Sequence, residues 1–155
     1  IALGVGGIGY YAAILLLVLH TLVKSSLFFQ TGQMYRILNT HMVDETGNYM
    51  RVYPAGGLVF LIGLICIAAI PPSGLFVAEF LIFKSLVSSG HWFVLILSLF
   101  LLAFIIFAMS TRILRMIFSK PPKLGDEDKM IKIHPIETLS QFVFLSIVIF
   151  DLFRI

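Results

Sequence analysis

Three ionisable side chains stand inside stretches that are otherwise apolar: His20, Lys24 and Glu79. A lysine at membrane depth costs roughly 2.5–3.5 kcal/mol on insertion scales, so such groups are kept where they serve a proton path or meet a buried partner. In low dielectric an amine and a carboxyl can exchange a proton over small free-energy steps, and an imidazole can pass one between its two nitrogens. His20 and Lys24 are one helical turn apart and so share a face of a helix. With Glu79 on a neighbouring segment they form a chemically sensible proton wire, and Thr21, Ser25, Ser26 and Gln30 could hold water along it. Each residue also has a plainer reading. His20 could do no more than hydrogen-bond a neighbouring helix. Lys24 could snorkel from near the end of its helix. Glu79 could favour a helix N-terminus. Lys84 lies off the face of Glu79 and reads as a snorkelling or interhelical partner, accessory to Glu79 at most. Glu137 and Asp151 read as interfacial. His41, His91 and His134 match no metal-ligand spacing, so no metal is assigned.

The elements that position these groups are membrane helices. The chain has 155 residues, of which 59% are hydrophobic and 12% charged, and its mean hydropathy is +1.04. A soluble domain is about one quarter charged. Its excess of basic residues is concentrated in one loop, a mark of topology and not of nucleic-acid binding. The single cysteine, Cys66, lies in an apolar run, so no disulfide or CxxC site can form within the chain. The Gly4, Gly6 and Gly9 pattern formally matches a dinucleotide fingerprint. That fingerprint needs a preceding strand and an acidic residue about 20 positions on; position 29 is Phe, and the stretch reads as a tight link between helices.

A first helix is predicted from Tyr10 to Thr31, followed by a mixed stretch to Pro54 with a helical extension and a turn at Thr46-Gly47-Asn48. A second runs from Leu58 to Ile70 and a third from Leu75 to Ser89. Between them Pro71, Pro72 and Gly74 break any regular helix. A fourth runs from Trp92 to Phe118, with Trp92 as an interfacial anchor, and a fifth from Leu139 to Phe153. The fold class is therefore all-α, a polytopic transmembrane bundle of about five spans forming a single unit over residues 1–155. Arg112, Arg115, Lys120, Lys123, Lys129 and Lys132 place the 112–135 loop on the cytoplasmic side. Strict alternation then puts the Pro71-Pro72 link on that side and residues 32–54 on the other. If the second and third helices are instead two halves of one broken span, the side of 32–54 flips. The first residue, Ile1, and the final stretch from Phe150 to Ile155 suggest a piece of a longer polytopic chain.

Two motifs carry a family. The run from Leu19 to Phe29, L-H-T-L-V-K-S-S-L-F-F, followed by Gln30-Thr31-Gly32, resembles the His-x-x-x-Lys helix of antiporter-like proton-translocating membrane subunits. The run from Ala68 to Phe80, A-A-I-P-P-S-G-L-F-V-A-E-F, looks like that family's Pro-Pro break. The family occurs in NADH:quinone oxidoreductase, membrane-bound hydrogenases, formate hydrogenlyase and multisubunit sodium/proton antiporters. Within it, the form seen here is most similar to hydrogenase-4 component F and its relatives. The resemblance implies the later, C-terminal part of a longer subunit: part of one inverted repeat plus a following helix. It also implies a half-channel in which Lys24 is a buried lysine, Glu79 the ionisable residue on the broken helix, and His20 the histidine one turn before the lysine. It implies a proton-translocating role, with protons or possibly sodium as the ion, in a prokaryotic cytoplasmic (inner) membrane. Redox cofactors would lie in partner membrane and peripheral subunits, none in this chain. A sodium/proton antiporter subunit and a non-conducting scaffold span are the alternatives. Ser73, after the second proline, and Lys84 depart from the family pattern.

Overall fold

The computed structural model describes residues 1–38, 47–119 and 134–150, all helical or in short links. The chain order is α1 (Ala2–Val5), α2 (Ile8–Leu38), α3 (Tyr49–Val52), α4 (Pro54–Ile67), α5 (Gly74–Ser88), α6 (Trp92–Phe118) and α7 (Pro135–Phe150). The tight link expected at the N-terminus is the turn through Gly6 and Gly7, both at positive φ. The basic residues from Lys120 to Lys132, His41, Thr46 and Asp151 lie outside the described residues.

The spine is α2. Its 31 residues reach about 46 Å, well beyond a bilayer's hydrocarbon core. It continues past Thr31 as the expected helical extension, and there Gln33 and Arg36 have partners across the bundle on α7. Buried Ala12, Leu19, Val23, Leu27, Gln30 and Met34 form its inward stripe.

The second and third predicted helices are short. α4 has 14 residues and α5 has 15, so each covers only about 22 Å, and together they match the length of α2. Both run antiparallel to α2. Gly56 of α4 lies against Gln30 and Gly63 against Leu27, while Ser85 of α5 lies against Gly9. Thus α4 follows one half of α2 and α5 the other. The break between Ile67 and Gly74 lies beside the middle of α2, the placement that the broken-span alternative describes. Among the described residues, only α2 and α6 are long and apolar enough to cross a membrane unaided.

Local chemistry explains both edges of the break. α4 ends with Ala69 at φ 49, and Ile70 N–H donates to the Ile65 carbonyl, a left-handed closure more often made by glycine. Pro71 and Pro72, joined by a cis peptide bond, cannot continue the helix. Ser73 then caps α5, its hydroxyl accepting from Phe76 N–H at 3.4 Å. The serine that departs from the family pattern is therefore the N-cap of the second half-helix.

α7 packs one stripe, Thr138, Gln141, Leu145 and Val148, against α2 and α4. α6 buries Leu95 near its start and Ile113, Met116 and Ile117 near its end. Most of its apolar surface, Phe93, Phe100, Phe104 and Phe107 included, faces outward. Cys66 is buried in the core of α4, as its apolar setting suggests.

Candidate functional site

The site is built on the middle of α2 and the break beside it. Lys24 lies about 21 Å from the Leu38 end of α2 and about 24 Å from the Ile8 end. Yet Lys24 is not buried within this chain: it is exposed. At about 100° per residue it turns off the inward stripe of Val23 and Leu27. It falls instead on the outward stripe with Ile14, Leu17 and Phe28. His20, one turn earlier, is half-buried. Neither side chain makes a hydrogen bond to another described residue.

Glu79 is half-buried on α5 and lies beyond the first turn, which carries no acidic residue. The favourable field of a helix N-terminus fades within that turn, so the capping reading of Glu79 fails. Interpolating between the Gly63–Leu27 and Ser85–Gly9 contacts sets Glu79 roughly 10 Å from the level of His20 along the axis, and roughly 15 Å from that of Lys24. The two are not paired: the one ion pair among the described residues joins Arg36 to Glu137. Lys84 is exposed in the last part of α5, about 6 Å from its end at Ser88, where a snorkelling lysine belongs.

The polar neighbours separate. Thr21 donates to the Leu17 carbonyl on its own helix at 2.7 Å. Ser25 is half-buried. Ser26 and Gln30 turn away from Lys24 into the seam with α4 and α7. Ser26 Oγ donates to the Gln141 carbonyl at 3.3 Å, and Gln30 Nε2 donates to the Tyr49 hydroxyl at 2.7 Å. Toward the end of α2, Thr138 Oγ1 donates to Gln33 Oε1 and shares a 2.6 Å hydrogen bond with the Tyr53 hydroxyl. Gln33 Nε2 in turn donates to Glu137, which also accepts from Arg36. Glu137 precedes the apolar part of α7, and the hydrogen bond from Arg36 holds its carboxyl below the usual carboxylate range. Sequence reasoning left Gln33, Tyr49, Tyr53, Thr138 and Gln141 out of the site. Their partners are far away in the chain, and no local spacing announces them.

No group of three or more His, Cys, Asp and Glu among the described residues could hold a metal ion. The arrangement can carry charge at mid-span, on His20 and Lys24 beside a helix break, with a second ionisable group, Glu79, further along the half-helix that follows.

Comparison with known proteins gives the context. Residues 1–105 match the family described as NADH:quinone oxidoreductase/Mrp antiporter, transmembrane. A hydrogenase-4 component F homolog of Methylacidiphilum infernorum is 33% identical over 85 residues, which cover 54% of this chain and 18% of that protein. NAD(P)H-quinone oxidoreductase chain 4 3 of Trichormus variabilis is 34% identical over 82 residues, covering 53% of this chain and 15% of the relative. Hydrogenase-4 component B of Escherichia coli is 33% identical over 81 residues, covering 52% and 12% respectively. The chain thus spans less than a fifth of the length of these relatives. A family match over most of the chain, together with two apolar spans and a broken helix in the expected order, identifies it as a membrane protein belonging to the NADH:quinone oxidoreductase/Mrp antiporter transmembrane family.

Proposed function

We propose that this chain is part of a proton-translocating subunit of a respiratory-type oxidoreductase complex, of the hydrogenase or NADH:quinone oxidoreductase kind, and supplies one half-channel. The observation that carries this reading is the placement of His20 and Lys24 at mid-span, level with the gap between α4 and α5. A charge there costs roughly 2.5–3.5 kcal/mol, and a break frees backbone groups only where protein or a water-filled cavity surrounds them. Both features fit a path for a charged species and are poorly explained by a passive span. In this reading Lys24 holds the proton, His20 passes it, and Glu79 receives it through several intervening waters, since the two levels lie roughly 15 Å apart along the axis. The exposed face of Lys24 is covered by other parts of the subunit or by a neighbouring one. Electron transfer takes place in partner subunits.

Sidedness follows the basic residues. Arg36, Arg51, Arg112 and Arg115 gather at one end of the bundle, which supports placing that end in the cytoplasm of a prokaryotic cell.

The test is Lys24→Ala in the full subunit within its complex, with proton translocation and electron transfer followed in parallel. The expected result is loss of translocation in an assembled complex; unchanged translocation rejects the reading. The family description also names antiporters, so the same assay is run with and without sodium. A transport rate that follows sodium without any redox partner favours the antiporter alternative. A subunit whose Lys24→Ala variant differs only in assembly is the scaffold span.

A further inference from the structure

One cleft, of about 500 Å³, lies between the later part of α2 and the start of α7, away from the mid-span site. Its lining is graded along the bundle: Arg36 and Glu137 stand at the outer end, and Phe28, Phe29 and Gly32 form an apolar wall further in. Gln33 and Gln141 also border it but are almost fully buried, whereas Phe28 and Phe29 are 72% and 58% exposed. With Val23, the midpoint of α2, at the bilayer centre, Phe28 lies roughly 8 Å from that centre, Gly32 roughly 14 Å and Arg36 roughly 20 Å. The hydrocarbon of one leaflet ends at about 15 Å and its headgroups reach about 22 Å. The ion pair is therefore level with lipid headgroups and the wall with acyl chains. Gly32 adds a second observation. A glycine inside a helix is destabilising relative to alanine, yet a Cβ here would meet nothing within 4 Å. Packing within the chain does not call for it, and the groove it leaves along α2 continues the cleft. The charges add a third. Arg36 meets Glu137 through one terminal nitrogen of a guanidinium that carries five N–H donors. Both hydrogen bonds that Glu137 accepts from α2 fall on Oε2, and a carboxylate has a second oxygen for a further donor. The pair thus keeps donors for an anion and an acceptor for a cation, side by side.

We propose that the cleft seats one phospholipid with a primary-amine headgroup, of the phosphatidylethanolamine kind, from the leaflet at the arginine end. Its phosphate takes donors from Arg36, its ammonium donates to Glu137, and one acyl chain lies in the groove at Gly32 against Phe28 and Phe29. Paired opposite charges above an apolar slot match such a lipid in both polarity and depth. A lipid with a glycerol headgroup satisfies Arg36 alone and brings an uncompensated negative charge beside the Glu137 carboxylate. A neighbouring helix fills the apolar wall, but its backbone brings no such pair of charges to the headgroup level. The bound lipid ties α7 to α2 where the two meet through the Arg36, Gln33 and Glu137 contacts. The proposal rests on the membrane location of the chain and not on the proton-translocating reading.

The experiment uses the full-length subunit in its assembled complex, in vesicles of phosphatidylcholine, whose quaternary amine has no N–H to donate. The vesicles carry a trace of phospholipid with a photoreactive diazirine in one acyl chain and either an ethanolamine or a glycerol headgroup, and cross-linked peptides are mapped by mass spectrometry. α6, whose Phe100 and Phe104 face outward, reports ordinary lipid contact. The expected result is cross-linking at residues 28–32 that is about threefold stronger, relative to α6, with the ethanolamine headgroup than with the glycerol one. Glu137→Gln is expected to remove that preference. Gly32→Leu, which fills the groove without a clash inside the chain, is expected to lower cross-linking of both lipids there several-fold while α6 is labelled as before. Equal cross-linking of the two headgroups, or a preference for glycerol, overturns the amine-lipid site. Unchanged cross-linking in Gly32→Leu places the lipid outside the cleft and overturns it as well. So does an absence of cross-links at residues 28–32 while α6 is labelled, the outcome if another helix of the subunit or of a partner covers the cleft. If a variant does not assemble, the headgroup comparison in the unaltered complex decides alone.

Discussion

Lys24 carries opposite demands for stability and function. A leucine in its place would continue the outward apolar stripe of Ile14, Leu17 and Phe28, whereas the lysine is exposed near the middle of a long apolar helix and makes no hydrogen bond to another described residue. Lys24→Leu is therefore expected to make insertion of the α2 segment more favourable by about 3 kcal/mol in a translocon-insertion assay. The same change is expected to abolish translocation. An unchanged insertion equilibrium would mean that Lys24 is not at mid-membrane depth. Ser73 lies at the other edge of the same region, and its role is conformational. Its side chain is buried and accepts the Phe76 N–H, one of the donors that a helix start leaves over. In the full chain, Ser73→Ala is expected to lower stability by about 1 kcal/mol and Ser73→Gly by only a few tenths, read as a shift in thermal unfolding of the purified subunit. Equal effects would show that the hydroxyl is not acting as a cap.

Between elements, close approach of α4 to α2 brings the polar seam together. A Cβ on Gly56 would lie 2.2 Å from Gln30 Nε2 and 2.8 Å from the Tyr49 hydroxyl, the two ends of one hydrogen bond. A Cβ on Gly63 would meet only the branched tip of Leu27, which can swing aside. Gly56→Ala is expected to cost about 1–3 kcal/mol of stability through overpacking, and Gly63→Ala distinctly less. Comparable thermal shifts for the two would remove Gly56 from its special place. These contacts also mark what could be read from the chain beforehand. α6 was legible to the residue because a long apolar run bounded by Trp92 and Ser119 allows no other structure in a membrane. The start of α5 was legible because prolines stop helices wherever they occur. The end of α2 was legible only in part: a helical extension past Thr31 was expected, but not where it stops, nor that Gln33 and Arg36 meet Thr138 and Glu137, more than 100 positions away. Nor could the burial of Lys24 be judged from its type. A helix shows its period in the sequence, but which face its neighbours cover depends on how they dock.

Across the whole molecule, the end-to-end placement of α4 and α5 along α2 bears on which surfaces share a side of the membrane. The four arginines among the described residues, Arg36, Arg51, Arg112 and Arg115, come from three separate parts of the chain. α3 and the start of α4 meet α2 near Gln30, the end of α6 packs against α3, and α7 begins beside Arg36. All four arginines therefore stand at one end, while Gly9, Ser85 and the His91–Trp92 turn mark the other. Two full spans in place of the broken one would separate Arg51 from Arg112 by the thickness of the bilayer and would lose the clustering that the positive-inside rule rewards. The two arrangements make opposite predictions for single cysteines in the full subunit with Cys66 replaced by alanine. Under the broken-span arrangement, Arg51→Cys and Arg112→Cys are labelled by an impermeant thiol reagent from the same side, and His91→Cys from the opposite side. If Arg51→Cys is labelled together with His91→Cys, α4 and α5 each cross the membrane on their own. The break would then lie at an interface instead of beside Lys24, and the mid-span site would lose the feature that sets it apart from an ordinary helix.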